Sequence, residues 1–137
     1  MTRIVLDTNV IVSALVFGGV PRAVLELAEA GQFELFYSEA IQAEVRRVLA
    51  EKFNWAPAMS QQVLPTLWSM GELVSPEIVV RAVPDDDDDN RIVECALAAD
   101  ASFIISGDHH LLALRAYRTI SIITPRRFLE ALPPDRP

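Results

Sequence analysis

The sequence predicts an α/β domain with a mainly parallel β-sheet. Short apolar segments rich in β-branched residues alternate along the chain with longer segments whose apolar residues recur at helical spacing. The chain has 137 residues, of which 51% are hydrophobic, and this fits one compact domain with a substantial core. We therefore expect a single domain over residues 1–132, followed by a flexible tail over residues 133–137.

The first half of the chain contains two predicted strands, at 3–6 and 33–37. The turn-forming residues 7–9 follow the first strand, and the apolar stretch 10–17 then predicts a helix. Pro21 is suited to the first turn of a second helix, which Gly31 ends. Ser38 is a plausible N-cap for a helix that reaches about Phe53. A further helix is predicted at about 60–70, with Pro65 inside it and Gly71 at its end.

The second half begins with a segment that flanks Pro76 and is predicted to contain one short strand. After an acidic run, a helix begins at Asp89 and Asn90, which suit the N-terminal end of a helix dipole. Strands are predicted at 102–106 and 120–123, with a short helix between them, and a C-terminal helix begins at Pro125.

Composition limits the classes of function. The net charge of −7 argues against a simple electrostatic nucleic-acid binder, although bound divalent cations would offset several of these acids. The single cysteine, Cys95, lies at a core position of a predicted helix, so neither a disulfide nor redox chemistry is expected. No apolar stretch approaches the roughly 20 residues of a membrane span, and no signal peptide is recognisable. We expect a cytoplasmic protein that does not associate with membranes.

Acidic residues follow the predicted strands at points that should lie close together. Asp7 follows the first strand and Asp108 follows the strand at 102–106, so a parallel sheet places both carboxylates at one edge. Asp89 begins the helix that leads into the latter strand, and Glu44 lies at the border of an apolar helix face. Four carboxylates in one crevice would repel each other unless cations neutralised them.

The cations that suit four carboxylates are Mg²⁺ or Mn²⁺, which prefer oxygen ligands and bind substrate phosphate in their remaining positions. Two such ions can activate a water and stabilise the leaving oxygen of a phosphodiester. We therefore expect Asp7, Glu44, Asp89 and Asp108 to be both metal ligands and catalytic residues.

Four motifs resemble those of PIN-domain nucleases: Val5-Leu6-Asp7-Thr8-Asn9-Val10, Glu44 in the third helix, Asp89-Asn90-Arg91-Ile92 with Ala96, and Ile105-Ser106-Gly107-Asp108. The resemblance covers nearly the whole chain and implies a Rossmann-like α/β/α sandwich with those four acids as its site. It also implies a Mg²⁺- or Mn²⁺-dependent endoribonuclease that hydrolyses RNA through a metal-activated water. Such a protein is often the VapC-like toxin of a toxin-antitoxin pair, so an antitoxin protein and a homodimer are expected partners.

The acidic run Asp85 to Asp89 leaves the third acid ambiguous. We prefer Asp89 because Ile92 and Ala96 follow it at the spacing found in the family; Asp88 is the alternative, with Asp86 as an assisting residue. Thr8, Asn9 and Ser106 are candidates to support the metal ligands or the substrate, but each is equally typical of a turn or a helix cap.

Several other residues are expected to have structural and not catalytic roles. His109 and His110 are expected in an exposed loop, because adjacent side chains diverge and are poorly suited to joint ligation. The tryptophans Trp55 and Trp68 are expected in the core or a dimer contact rather than stacked on bases. Glu94 is expected to be solvated. Apolar residues of the first helices are expected to be exposed and to build the dimer: Val12, Leu15 and Val16.

The alternative function is a non-catalytic module that binds Mg²⁺, as a receiver domain does, or RNA. Receivers usually carry paired acids after the first strand and a late lysine, whereas the sole lysine here is Lys52. A metal-dependent phosphatase would carry an Asp-x-Asp pair, and here Thr8-Asn9 follows Asp7.

Overall fold

A six-stranded sheet forms the centre of the molecule in the computed structural model, which describes residues 1–84 and 86–132. The strand order is β3-β2-β1-β4-β6-β5, and each neighbouring pair is parallel except β5 and β6. The strands are β1 (Arg3–Leu6), β2 (Glu34–Tyr37), β3 (Gly71–Leu73), β4 (Phe103–Ile105), β5 (Ala116–Tyr117) and β6 (Ile120–Ile123). The predicted α/β class with a mainly parallel sheet is confirmed.

Seven helices connect and cover these strands within the described part of the chain, and the fold is a Rossmann-like α/β/α sandwich. They are α1 (Thr8–Val16), α2 (Gly19–Glu29), α3 (Glu39–Phe53), α4 (Pro57–Trp68), α5 (Asp87–Ala98), α6 (His109–Leu114) and α7 (Pro125–Ala131). Ser38 caps α3 as predicted, because its side chain accepts a hydrogen bond from the Ile41 amide at 3.3 Å. Helix α4 begins three residues earlier than predicted, with Pro57 in its first turn.

The core lies on both sides of the two central strands. In β1 the side chains of Ile4 and Val5 are fully buried, as are Ile104 and Ile105 in β4. Continuous burial, rather than alternation, is typical of a parallel strand covered by helices on both faces. Cys95 is fully buried in α5 as expected, and burial raises the pKa of its thiol to about 12.

The sequence prediction differs from the structure at the edges of the sheet. The short strand expected around Pro76 is β3, which lies earlier, and Ile78 and Val79 are exposed outside any strand. Gly71 starts β3 instead of ending a helix. A Cβ atom at this position would lie 2.6 Å from the carbonyl oxygen of Leu35, so only glycine allows this close approach of the two strands. Strand β5, a two-residue hairpin partner of β6, was not predicted.

The apolar surface expected on the first helices is largely part of the core. Val12 is buried within the chain, so its predicted exposure is wrong, while Leu15 and Val16 are partly buried against the core. Trp55 and Trp68 also pack partly buried against it. Within the described residues no single helix is long and apolar enough to cross a membrane; α1 and α2, bent by 100° at their junction, reach that length and composition only together. The tail expected at 133–137 lies outside the described residues, as does Asp85.

Candidate metal centre

The fold opens a crevice where β1 and β4 lie side by side. Leu6 pairs with Ile105 in the parallel register, and the amide of Asp7 donates to the Ile105 carbonyl oxygen at 2.9 Å. After β1 the chain continues toward β2, whereas after β4 it continues toward β6 on the opposite side. The two connections diverge at this point, and ligands of open α/β sheets characteristically bind at such a switch point.

This crevice, called the acidic crevice below, has a volume of about 310 Å³. It contains all four acids predicted as metal ligands, together with most of their predicted supporting residues. Its lining residues are Asp7, Thr8, Asn9, Glu44, Arg47, Val48, Glu51, Lys52, Asp86, Asp88, Asp89 and Asp108. The structure therefore brings together side chains that are separated by up to a hundred residues in the sequence.

Asp7 lies at the bottom of the acidic crevice, with only 3% of its surface exposed. Its Oδ2 accepts a hydrogen bond from the hydroxyl of Ser106 at 2.7 Å, and this hydroxyl accepts one from the Asp108 amide at 2.9 Å. Burial raises the pKa of Asp7 to about 6, against the opposing effect of the Ser106 hydrogen bond, and the charge of Asp108 raises it further. Ser106 is fully buried and links the two acids from behind.

Glu44 reaches the acidic crevice from α3. The hydroxyl of Thr8 donates a short hydrogen bond to its Oε1, and Arg47 lies 3.6 Å from its Oε2. Burial raises the pKa of Glu44 to about 7, and the carboxylates of Asp88 and Asp7 contribute to the rise. Thr8 thus orients an acid, which is one of the two roles the sequence left open for it.

The described residues of the acidic run differ in burial and in their partners. Asp89 is 5% exposed and faces inward, whereas the Asp88 side chain is 53% exposed and pairs with Arg47 at 3.1 Å. Burial and the negative charges of Asp108 and Asp7 raise the pKa of Asp89 to about 8. Its Oδ2 is buried and has no hydrogen-bond partner. Asp89 is thus the more buried of the two, and its assignment as the third acid stays a prediction.

Asp86 and Asp108 each cap a helix as well as lining the crevice. Asp86 accepts a hydrogen bond from the Asp89 amide at 3.1 Å and is the N-cap of α5, so this helix starts at Asp87 and not at the predicted Asp89. Asp108 accepts from the amides of His110 and Leu111 at 2.8 and 3.2 Å and is the N-cap of α6. Although burial acts to raise it, these backbone hydrogen bonds hold the pKa of Asp108 below its ordinary value.

Asn9 is exposed at the crevice, and Asp7, rather than Asn9, occupies the N-cap position of α1. The histidines His109 and His110 are exposed as expected, but they form the first turn of α6 instead of a loop.

Two residues that hold the acidic segment in place were not recognised from the sequence. The Asn90 side chain accepts from the Val83 amide at 2.8 Å and donates to the Val83 carbonyl at 2.9 Å. Glu94 accepts from the Val80 amide at 2.8 Å and pairs with Arg91 at 2.9 Å. The predicted solvation of Glu94 is wrong, because its exposure is 8%. The available signal was the four-residue spacing of Asn90 and Glu94, which places both on one helix face.

The arrangement fits a hard divalent cation. Three of the carboxyl groups, Asp7, Glu44 and Asp89, have raised pKa values, which shows that each is destabilised as an anion in this crevice. A cation relieves that repulsion and gives the buried Oδ2 of Asp89 a partner. Carboxylate oxygens are the ligands that Mg²⁺ and Mn²⁺ prefer.

The fold and the acidic crevice together define a Rossmann-like domain with a carboxylate cluster at the switch point of its sheet. The family model of the PIN domain matches residues 3–110. The chain therefore belongs to the PIN domain family, as the motifs predicted.

One sequence relative and one solved structure are similar to this chain. An uncharacterized protein of Methanocaldococcus jannaschii is 30% identical over 141 aligned positions, which cover 93% of this chain and 90% of the relative. The crystal structure of VapBC2 from Rickettsia felis, bound to a DNA fragment from its promoter, superposes with a TM-score of 0.63. That match covers 88% of this chain and 97% of the other at 15% identity, so it supports the fold.

Proposed function

We propose that this protein is a metal-dependent endoribonuclease. The observation that carries the proposal is the convergence of Asp7, Glu44, Asp89 and Asp108 on one crevice in which the anionic forms of three of them are disfavoured. Burying carboxylates beside one another raises the free energy of the folded state, and a purely structural role does not require such an arrangement. Membership of the PIN domain family supports the same function.

The four acids are the proposed ligands of Mg²⁺ or Mn²⁺ and the proposed catalytic residues. When bound, such a cation polarises a phosphate oxygen and lowers the pKa of a water, which provides a nucleophile at neutral pH. Thr8 holds Glu44, and Ser106 holds Asp7 and the Asp108 amide, so both residues position the acids. Asp86 fixes the start of the helix that carries Asp89.

Contact with the RNA backbone is assigned to the cationic residues of the crevice. Arg47 and Lys52 line it beside the acids, and Arg47 is half exposed on the surface of α3. A substrate phosphate can replace Asp88 as the partner of this guanidinium, because arginine forms paired hydrogen bonds with phosphate. The overall charge of −7 makes such local cations important for holding a polyanion.

We further propose that the protein is the VapC-like toxin of a toxin-antitoxin pair. Support comes from the family and from the fold shared with VapBC2, whose structure was determined on promoter DNA. The proposed partners are an antitoxin protein, which would block the crevice with an arginine paired to its carboxylates, and a second copy of the chain. The proposed location is the cytoplasm. Copurification with the product of an adjacent gene tests the antitoxin partner. The mass of the purified protein in solution tests the second copy.

The decisive test is cleavage of total cellular RNA by wild type, Asp7→Asn and Asp100→Asn, with Mn²⁺ and with EDTA. Asp100 is a matched control because it is an exposed aspartate that precedes β4, at the edge of the sheet away from the crevice. We expect wild type and Asp100→Asn to cut RNA in Mn²⁺, leaving 5′-phosphate and 3′-hydroxyl ends. Asp7→Asn and the EDTA reactions should be inactive.

Cyclic phosphate ends formed in EDTA would contradict the proposal, because they require attack by the ribose 2′-hydroxyl instead of water. Equal activity of wild type and Asp7→Asn in Mn²⁺ would also contradict it.

A further inference from the structure

A histidine joins the acids at one side of the acidic crevice. One ligand atom from each of Asp86, Asp89, Asp108 and His110 lies within 4.8 Å of every other. We propose that His110 supplies a nitrogen ligand to the metal centre and thereby makes the centre prefer Mn²⁺ to Mg²⁺. This inference rests on the proposed metal centre and adds to it a residue outside the four acids.

The imidazole lies at ion-pair distance from two carboxylates without a hydrogen bond to either, and this separation also suits a shared cation. His110 Nδ1 lies 3.8 Å from both Asp86 Oδ2 and Asp108 Oδ1, which is beyond hydrogen-bond distance. Two donors that share one cation at about 2.1 Å are separated by roughly 3 to 4.2 Å, depending on the angle between them. The separation of 3.8 Å falls in that range.

Hydrogen bonds place the His110 backbone and the Asp86 carboxylate at one side of the acidic crevice. The His110 amide donates to Asp108 Oδ1 at 2.8 Å in the first turn of α6, so the residue is tied to the acid that it would assist. The Asp86 side chain accepts a hydrogen bond from the Asp89 amide at 3.1 Å through its Oδ1. His110 Nδ1 and Asp86 Oδ2 therefore already lie close enough to bind one cation together.

One carboxylate oxygen of this cluster is buried without a hydrogen-bond partner. Asp89 is 95% buried, as its exposure of 5% shows, and its Oδ2 has no hydrogen-bond partner. A buried and unpaired carboxylate oxygen costs considerable free energy, and a cation held by the cluster provides the missing interaction.

The mixed donor set determines which cation is favoured. Mg²⁺ strongly prefers oxygen ligands, whereas imidazole nitrogen suits the transition metals, among which Mn²⁺ also accepts carboxylates readily. Replacing one oxygen donor by an imidazole therefore favours Mn²⁺ over Mg²⁺.

The neighbouring histidine offers a matched control. His109 is exposed and packs its ring against His110 with 4.2 Å between the ring centroids, yet it does not belong to the ligand cluster. His110→Ala and His109→Ala each remove one exposed imidazole from the same turn of α6. Circular dichroism should show that both variants remain folded.

The test is calorimetric titration of the full-length, cation-free protein with Mn²⁺ and, separately, with Mg²⁺. We expect His110→Ala to weaken Mn²⁺ binding by about tenfold or more and to change Mg²⁺ binding far less, with His109→Ala equal to wild type. Electron-spin-echo spectroscopy of bound Mn²⁺ should show ¹⁴N coupling in wild type and His109→Ala, and should lose it in His110→Ala.

Bound Mn²⁺ without ¹⁴N coupling in wild type would overturn the inference. So would an equal loss of both cations in His110→Ala, or a loss of Mn²⁺ affinity in His109→Ala. Wild type that binds neither cation would overturn the metal centre itself. Wild type that binds Mn²⁺ with ¹⁴N coupling but leaves RNA intact would uphold His110 as a ligand while refuting the proposed nuclease function.

Discussion

The free energy of unfolding of the cation-free protein should decrease as pH rises from about 4 to about 8. The pKa of Asp7 is raised to about 6, that of Glu44 to about 7 and that of Asp89 to about 8, all above their ordinary values. Over this range the folded chain holds protons that the unfolded chain has released. Stability therefore decreases with pH, being greatest below the unfolded pKa values and lost as pH passes through the folded ones.

The magnitude can be worked out for Asp7, which is almost fully buried. Burial, the largest cause, raises its pKa from 3.8 to about 6, and each pH unit of such a rise corresponds to about 1.4 kcal/mol. Ionisation of Asp7 alone should thus cost about 3 kcal/mol of stability across this range. Asp7→Asn cannot ionise at this position, so its stability should decrease with pH by about 3 kcal/mol less than that of wild type.

The assay is urea unfolding in EDTA at pH 4.5, 6 and 8 for wild type, Asp7→Asn and the exposed control Asp100→Asn. Asp100 has a φ of 52°, a conformation that asparagine also tolerates, so this control should follow wild type. Adding Mn²⁺ at pH 8 should restore stability to wild type, by about 2.7 kcal/mol at a concentration of 100 times Kd. Asp7→Asn should gain much less.

A flat or rising stability profile of wild type in EDTA would refute the reasoning, because it would show that the acids are not destabilised as anions. Identical slopes for wild type and Asp7→Asn would show that Asp7 is not the group responsible.

Three further predictions concern Asn90, Gly71 and Arg47. Asn90→Ala removes both hydrogen bonds to the Val83 backbone and should destabilise the protein by about 2 to 4 kcal/mol in urea unfolding. Hydrogen exchange at the Val83 amide should become faster, and unchanged exchange would contradict the role of Asn90. Gly71→Ala places a Cβ 2.6 Å from a backbone oxygen and should lower the free energy of unfolding by about 1 to 3 kcal/mol in thermal unfolding. The control Gly107→Ala, whose Cβ would have nothing within 4 Å, should be neutral. Equal effects of the two substitutions would refute the close approach of the strands at Gly71. Arg47→Ala removes a half-exposed guanidinium that pairs with Asp88 and Glu44, and it should change stability by at most about 1 kcal/mol. It should, however, raise the KM for RNA, and an unchanged KM would remove Arg47 from the substrate contacts.

Local sequence patterns were sufficient to predict the class of the fold and the acids at the strand ends. Strand and helix periodicity depends on neighbouring residues, and the carboxyl ends of parallel strands meet at one edge whatever the details of packing. Asp7 and Asp108 could therefore be placed near each other without coordinates. The motifs around them were also sufficient to identify the PIN domain family.

The tertiary structure alone decided which side chains face the crevice and which are held in place behind it. Asp88 and Asp89 are adjacent in the sequence, but one pairs with Arg47 at the surface and the other is buried. Glu94 appeared solvated on a helical wheel, yet the segment that ends at Val83 covers this second face of α5. The ion-pair contact of His110 with Asp86 likewise joins α6 to the residue that caps α5. Such contacts depend on the packing of segments distant in the chain, and a local pattern carries no information about them.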